Sequence, residues 1–142
     1  MSIPERPPRI LVVDDEEQIR RALRSVLAAR KYDVRLASNG EEAIDTAIDF
    51  APELVILDLA MPGMDGLEFL NALRLLNPSV PVIMLTAYGA VESYLKSLSL
   101  GVFEYLNKPI KAKELGRIVQ AALESVDTGR MDSGSTEGSK AG

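Results

Sequence analysis

Residues 10–16 read Ile10-Leu11-Val12-Val13-Asp14-Asp15-Glu16. Four apolar residues, three of them β-branched, stop abruptly at three acids. That length and content predict a strand buried on both faces, with the acids just past its end. The pattern recurs downstream. Leu54-Val55-Ile56-Leu57 precedes Asp58, an apolar run over 80–85 precedes Thr86, and a strand over 102–106 precedes Asn107 and Lys108. A shorter strand over 33–37 alternates at Val34 and Leu36. Helical periods fill the gaps. Ile19, Ala22, Leu23, Val26 and Leu27 share a face over 16–30. Ala43, Ile44, Ala47 and Ile48 mark a second helix between Asn39-Gly40 and Pro52. Leu67, Leu70, Leu73 and Leu76 pace a third from about Gly66, after the loop Met61-Pro62-Gly63. A helix over 90–100 is expected to be capped by Gly101. The last helix, over 111–125, turns Leu115, Ile118, Val119, Ala122 and Leu123 inward.

Five β-α units with near-continuous apolar strands predict an α/β fold, a doubly wound five-stranded parallel sheet with helices on both faces. Residues 1–8 read as an N-terminal extension, 9–126 as one domain, and 127–142 as a disordered polar tail. Composition narrows the function classes. The net charge of -5 opposes a face dedicated to nucleic-acid phosphates. There is no cysteine and no histidine, so thiolate redox chemistry, a Ser-His-Asp triad and the usual zinc sites are excluded. No apolar run approaches the roughly 20 residues of a spanning helix, and residues 1–8 lack an apolar signal core, so a cytoplasmic protein is expected.

In open sheets of this class the ligand site lies at the carboxyl ends of the strands. The residues there are Asp14, Asp15, Asp58, Thr86 and Lys108. A strand-end Asp commonly caps the following helix, but capping does not account for all five positions together. Three carboxylates brought close repel one another unless some are protonated or a cation lies among them. An oxygen-only cluster suits Mg2+, which keeps several waters and bridges carboxylate and phosphate. Asp58, ending a central strand, is placed to act as a nucleophile toward an activated phosphoryl group. Lys108 and the metal would offset charge on the phosphoryl oxygens, and Thr86 would donate a hydrogen bond to one of them.

At these residues the chain resembles the receiver domains of two-component response regulators. The resemblance covers about residues 9–126. It rests on the 10–16 stretch, on Leu57-Asp58-Leu59-Ala60-Met61-Pro62-Gly63-Met64-Asp65-Gly66, on Leu85-Thr86-Ala87-Tyr88-Gly89, and on Tyr105-Leu106-Asn107-Lys108-Pro109. It implies a flavodoxin-like sheet with strand order 2-1-3-4-5, as in the chemotaxis receiver that is a standard example of that order. It implies that Asp58 is the phosphorylation site. Mg2+ would be held by Asp14, Asp15 and Asp58 and by the backbone carbonyl of Ala60. Thr86 and Tyr105 would form the switch, with Lys108 on the phosphoryl oxygens and a cis Lys108-Pro109 bond. The implied donors are a histidine kinase or a histidine phosphotransfer protein, docking near Ile19 and Ala22. The chain would catalyse only its own phosphorylation and dephosphorylation.

Phosphorylation adds roughly -1.5 to -2 charges, and the expected response is a two-state surface on the helix over 90–100, the fifth strand and the last helix. Tyr94, Leu95 and Leu98 are candidates for its apolar stripe, or for plain core packing. Glu16 and Glu17 either tune the metal or are ordinary first-turn acids, while Ala87 and Tyr88 border the site. The polar tail offers no DNA-binding module, so output is expected through an unknown downstream protein, with no direct nucleic-acid binding. The domain would be a monomer or a phosphorylation-dependent dimer. Alternatives are a fragment of a longer transcription regulator and a phosphorylation-independent binding module. An aspartyl phosphatase would need a second Asp at the position of Ala60, and a flavin domain would need a phosphate loop where Asp14-Asp15-Glu16-Glu17 stands.

Overall fold

The computed structural model describes residues 6–58, 66–86 and 100–133. Its first strand, β1 (Arg9–Val13), carries the run Ile10 to Val13, every residue of it fully buried. A strand buried on alternate sides needs cover on both faces, and the rest of the chain supplies it. In order follow α1 (Glu17–Ala29), β2 (Asp33–Ala37), α2 (Gly40–Phe50), β3 (Leu54–Asp58), α3 (Gly66–Leu76), β4 (Val82–Thr86), β5 (Glu104–Asn107) and α4 (Ala112–Ser133). The strands form one parallel sheet in the order β2-β1-β3-β4-β5. The expected doubly wound architecture and strand order both hold.

Alternation along the strands sorts the core into two layers. Leu11, Val13, Val55 and Leu57 pack with Ala43 and Ala47 of α2 and with Phe69, Leu70 and Leu73 of α3. Ile10, Val12, Leu54 and Ile56 face the other way, onto Leu23 and Leu27 of α1 and Leu115, Val119 and Ala122 of α4. The edge strand β2 is half exposed in alternation, as Val34 and Leu36 indicated.

Local signals set the helix ends. Asn39 caps α2, its side chain accepting the Glu42 amide at 2.8 Å, and Ala51 closes that helix in the left-handed region ahead of Pro52. Gly101 has φ +73°, the left-handed geometry expected of a cap at that position. Arg74 of α3 is a bolt. Its guanidinium donates to the carbonyls of Leu100 (2.6 Å), Val80 (2.6 Å) and Gly101 (3.1 Å). Burial pulls its pKa below the usual arginine value.

One boundary is corrected. The polar tail was expected from residue 127, but α4 continues to Ser133. Composition signalled the end of the apolar pattern at about 126, not the end of the backbone helix. No proline intervenes before 133, and a helix already nucleated adds one hydrogen bond per residue. The expected helix over 90–100, with Tyr94, Leu95 and Leu98, lies outside the described residues except for Leu100. So do Ala60, Ala87, Tyr88 and the segments 1–5 and 134–142.

Candidate functional site

The register of the sheet brings the candidates to one edge. Val13 pairs with Leu57, so the next residues along, Asp14 and Asp58, stand at the same level on neighbouring strands. Asp58 pairs with Leu85, which puts Thr86 one residue beyond it, and Thr86 pairs with Asn107, which puts Lys108 one further on. The chain leaves β1 toward β2 on one side and returns as β3 on the other. Asp14 and Asp58 therefore flank the switch point of the sheet, where open α/β sheets form their ligand crevice.

Asp14, Asp15 and Asp58 each offer a carboxylate oxygen within 4.8 Å of the others. Asp14 is fully buried, Asp58 is 4% exposed, and Asp15 is exposed. The Lys108 ammonium lies 3.1 Å from Asp14 Oδ2, 3.5 Å from Asp58 Oδ2 and 3.9 Å from Glu16 Oε1. Burial alone would lower the Lys108 pKa, but the charges of Asp14, Asp58 and Glu16 outweigh it and hold it above the usual lysine value. Among the described residues, one ammonium thus lies against the carboxylates of Asp14, Asp58 and Glu16.

Asp14 is held at every polar atom but one. Its amide donates to the Ala37 carbonyl at 3.1 Å, and its Oδ1 accepts the Glu16 amide at 2.9 Å. Its carbonyl accepts Arg20 Nη1 at 2.7 Å. The exception is Oδ2, which is buried with no well-directed hydrogen bond and meets Lys108 as a neighbouring charge. A buried carboxylate oxygen in that condition, clustered with carboxylate oxygens of Asp15 and Asp58, suits a hard cation.

The structure brings together Asp14, Asp15, Asp58 and Lys108, and its backbone puts Thr86 at the same edge. Tyr105 lies on β5, half-buried against the α2/α3 layer. It also lines an open groove with Phe103, Glu104, Ile118 and Arg117 between β5 and α4. The Lys108-Pro109 bond is cis, as the resemblance implied. Ala60 lies outside the described residues. Glu16 borders the cluster, whereas Glu17 is a first-turn acid of α1 paired with Arg21 at 3.6 Å. Sequence reasoning missed Arg20. Its signal was present: a cation near the helix N-terminus opposes the helix dipole, so it needs another reason to be there.

The family description "Response regulator receiver domain" matches residues 10–120. The chain is 40% identical over 116 residues to the regulatory protein AtoC of Escherichia coli, covering 82% of this chain and 25% of that one. It is 38% identical over 125 residues to the transcriptional regulatory protein YkoG of Bacillus subtilis, covering 88% and 55%. The chain thus spans a quarter to about half the length of these relatives. A CheY-like receiver domain protein of Methanospirillum hungatei superposes with a TM-score of 0.83 at 28% identity, covering 86% of this chain and 98% of that one. NtrX of Brucella abortus superposes with a TM-score of 0.84 at 33% identity, covering 88% and 29%.

Proposed function

Because this chain belongs to the response regulator receiver domain family, we propose that it takes a phosphoryl group onto Asp58 and so switches a partner-binding surface. The observation that carries this reading is the Asp58 carboxylate, nearly buried at the end of a central strand, 3.5 Å from Lys108 and clustered with Asp14 and Asp15. A carboxylate oxygen of Asp58 attacks phosphorus of a phosphohistidine. A P–O bond forms and the P–N bond breaks, and the imidazole leaves with the electron pair and takes a proton from solvent. Water later cleaves the aspartyl phosphate and restores Asp58. The chain acts on nothing beyond its own phosphorylation and dephosphorylation.

Asp14, Asp15, Asp58 and the Ala60 carbonyl are the proposed ligands of Mg2+, which when bound offsets charge on the phosphoryl oxygens. Lys108, already paired with Asp14 and Asp58, stands beside the position those oxygens would take. Thr86, one residue beyond Asp58 across β4, is the proposed hydrogen-bond donor, and Tyr105 the residue that follows it. A histidine kinase or histidine phosphotransfer protein is the proposed donor, and the cytoplasm the proposed location. No helix among the described residues is long and apolar enough to cross a membrane.

Intact mass after incubation with acetyl phosphate tests the reading. One phosphoryl adduct is expected, requiring both Mg2+ and Asp58 and absent from Asp58→Asn. No adduct on well-folded protein would leave a binding module that works without phosphorylation. The length of the relatives favours a second reading, that this domain is the input module of a longer transcription regulator. An in-frame output domain encoded downstream would establish it.

A further inference from the structure

Asp15 is exposed and has no strand to hold it, yet its carboxylate lies in the cluster with Asp14 and Asp58. Its position follows from the peptide that joins it to Asp14. The carbonyl of that peptide is the Asp14 carbonyl, and it accepts Arg20 Nη1 at 2.7 Å. On the other side, the Asp14 amide is fixed by Ala37 at the end of β2. Arg20 is half-buried on the first turns of α1, and its charge also acts on Glu42. Glu42 itself closes the start of α2, its Oε1 accepting the Ser38 amide at 2.7 Å and the Ser38 hydroxyl at 2.8 Å. The Arg20 guanidinium therefore ties α1 to the β1-α1 turn. It fixes the plane of the peptide from which Asp15 departs.

We propose that Arg20 is a positioning residue of the acidic cluster: it holds the Asp14-Asp15 peptide in the orientation that aims both carboxylates at one cation. The proposal rests on the cluster being a Mg2+ site. Two effects of Arg20 have opposite signs. As a nearby positive charge it disfavours a bound cation. As the partner of the Asp14 carbonyl it pre-orients two ligands. Outer partners of metal ligands typically change affinity by about 10–100-fold, more than a screened charge at a partly exposed site.

The test is calorimetric titration of Mg2+ into the protein, Arg20→Gln and Arg20→Lys, with urea unfolding of each. The positioning role expects Arg20→Gln to weaken Mg2+ binding by about 10–100-fold. Arg20→Lys, which keeps the charge but loses the directed guanidinium, should fall between. Unchanged or tighter binding by Arg20→Gln would overturn the proposal, leaving Arg20 a plain charge or a structural tie. Should Arg20→Gln fail to fold, Arg20→Lys decides alone, and affinity equal to the unsubstituted protein overturns the proposal. An unsubstituted protein that binds no Mg2+ would remove the metal reading itself, and the proposal with it.

Discussion

Lys108 is placed where three carboxylates would otherwise repel one another, and its protonation belongs to the fold as much as to the site. Its pKa is raised on folding, against the pull of burial, by Asp14, Asp58 and Glu16. A raised folded pKa means that the ammonium contributes stability fully present below the ordinary lysine value of about 10.4, lost as pH rises through the higher folded value. In urea titrations the midpoint of the unsubstituted protein should therefore fall more steeply above about pH 10.4 than that of Lys108→Met. Parallel curves would show that the pairs with Asp14 and Asp58 add nothing to folding. The residues of this cluster were legible because each ends a predicted strand, and a parallel sheet gathers strand ends at one edge. Arg20 left only an indirect signal, a cation in the first turns of a helix, because its partner is a main-chain carbonyl that no residue type specifies. Residues 59–65 and 87–99, which include Ala60, Ala87 and Tyr88, lie outside the described residues.

The elements follow from local signals wherever packing and periodicity agree. The run Ile10 to Val13 read as a doubly buried strand because no polar residue interrupts it, and Asn39-Gly40 read as a break before the second helix, where the structure makes Asn39 the cap that accepts the Glu42 amide. The edge of the sheet was less legible. β5 begins at Glu104 rather than 102, since an edge strand with exposed Glu104 and Asn107 lacks the apolar signature of a central one. Nothing in the sequence pairs residue 30 with residue 116, yet a Cβ on Gly116 would collide with the Arg30 guanidinium. Arg74 is likewise an interaction of side chain with backbone. It satisfies carbonyls on both sides of the β4 and β5 approaches. Arg74→Met keeps the stem and removes the donors, so it should lower stability by about 1–3 kcal/mol in urea unfolding. A change within error would mean that water replaces the guanidinium at no cost.

Across the whole molecule, two helical layers share one sheet. Leu27 is fully buried in one layer and Leu73 is 1% exposed in the other. Either change to Ala should cost about 2–5 kcal/mol. If the shared sheet makes the domain one cooperative unit, both changes shift the same transition. Tyr32 packs in the α1/α4 layer and Tyr105 against the α2/α3 layer, so their ring resonances report the layers separately. Coincident loss of both signals in each variant is expected. If Leu73→Ala moved Tyr105 well ahead of Tyr32, the layers would be unfolding independently. The strand order also sets a schedule for the growing chain. β1 is flanked by β2 and β3, and both are translated after it. At about 5–20 residues per second, the ribosome takes roughly 2–10 s from the end of β1 to the end of β3. Through that interval the apolar run Ile10 to Val13 has yet to gain its second neighbour, and it is a segment a nascent-chain chaperone would bind.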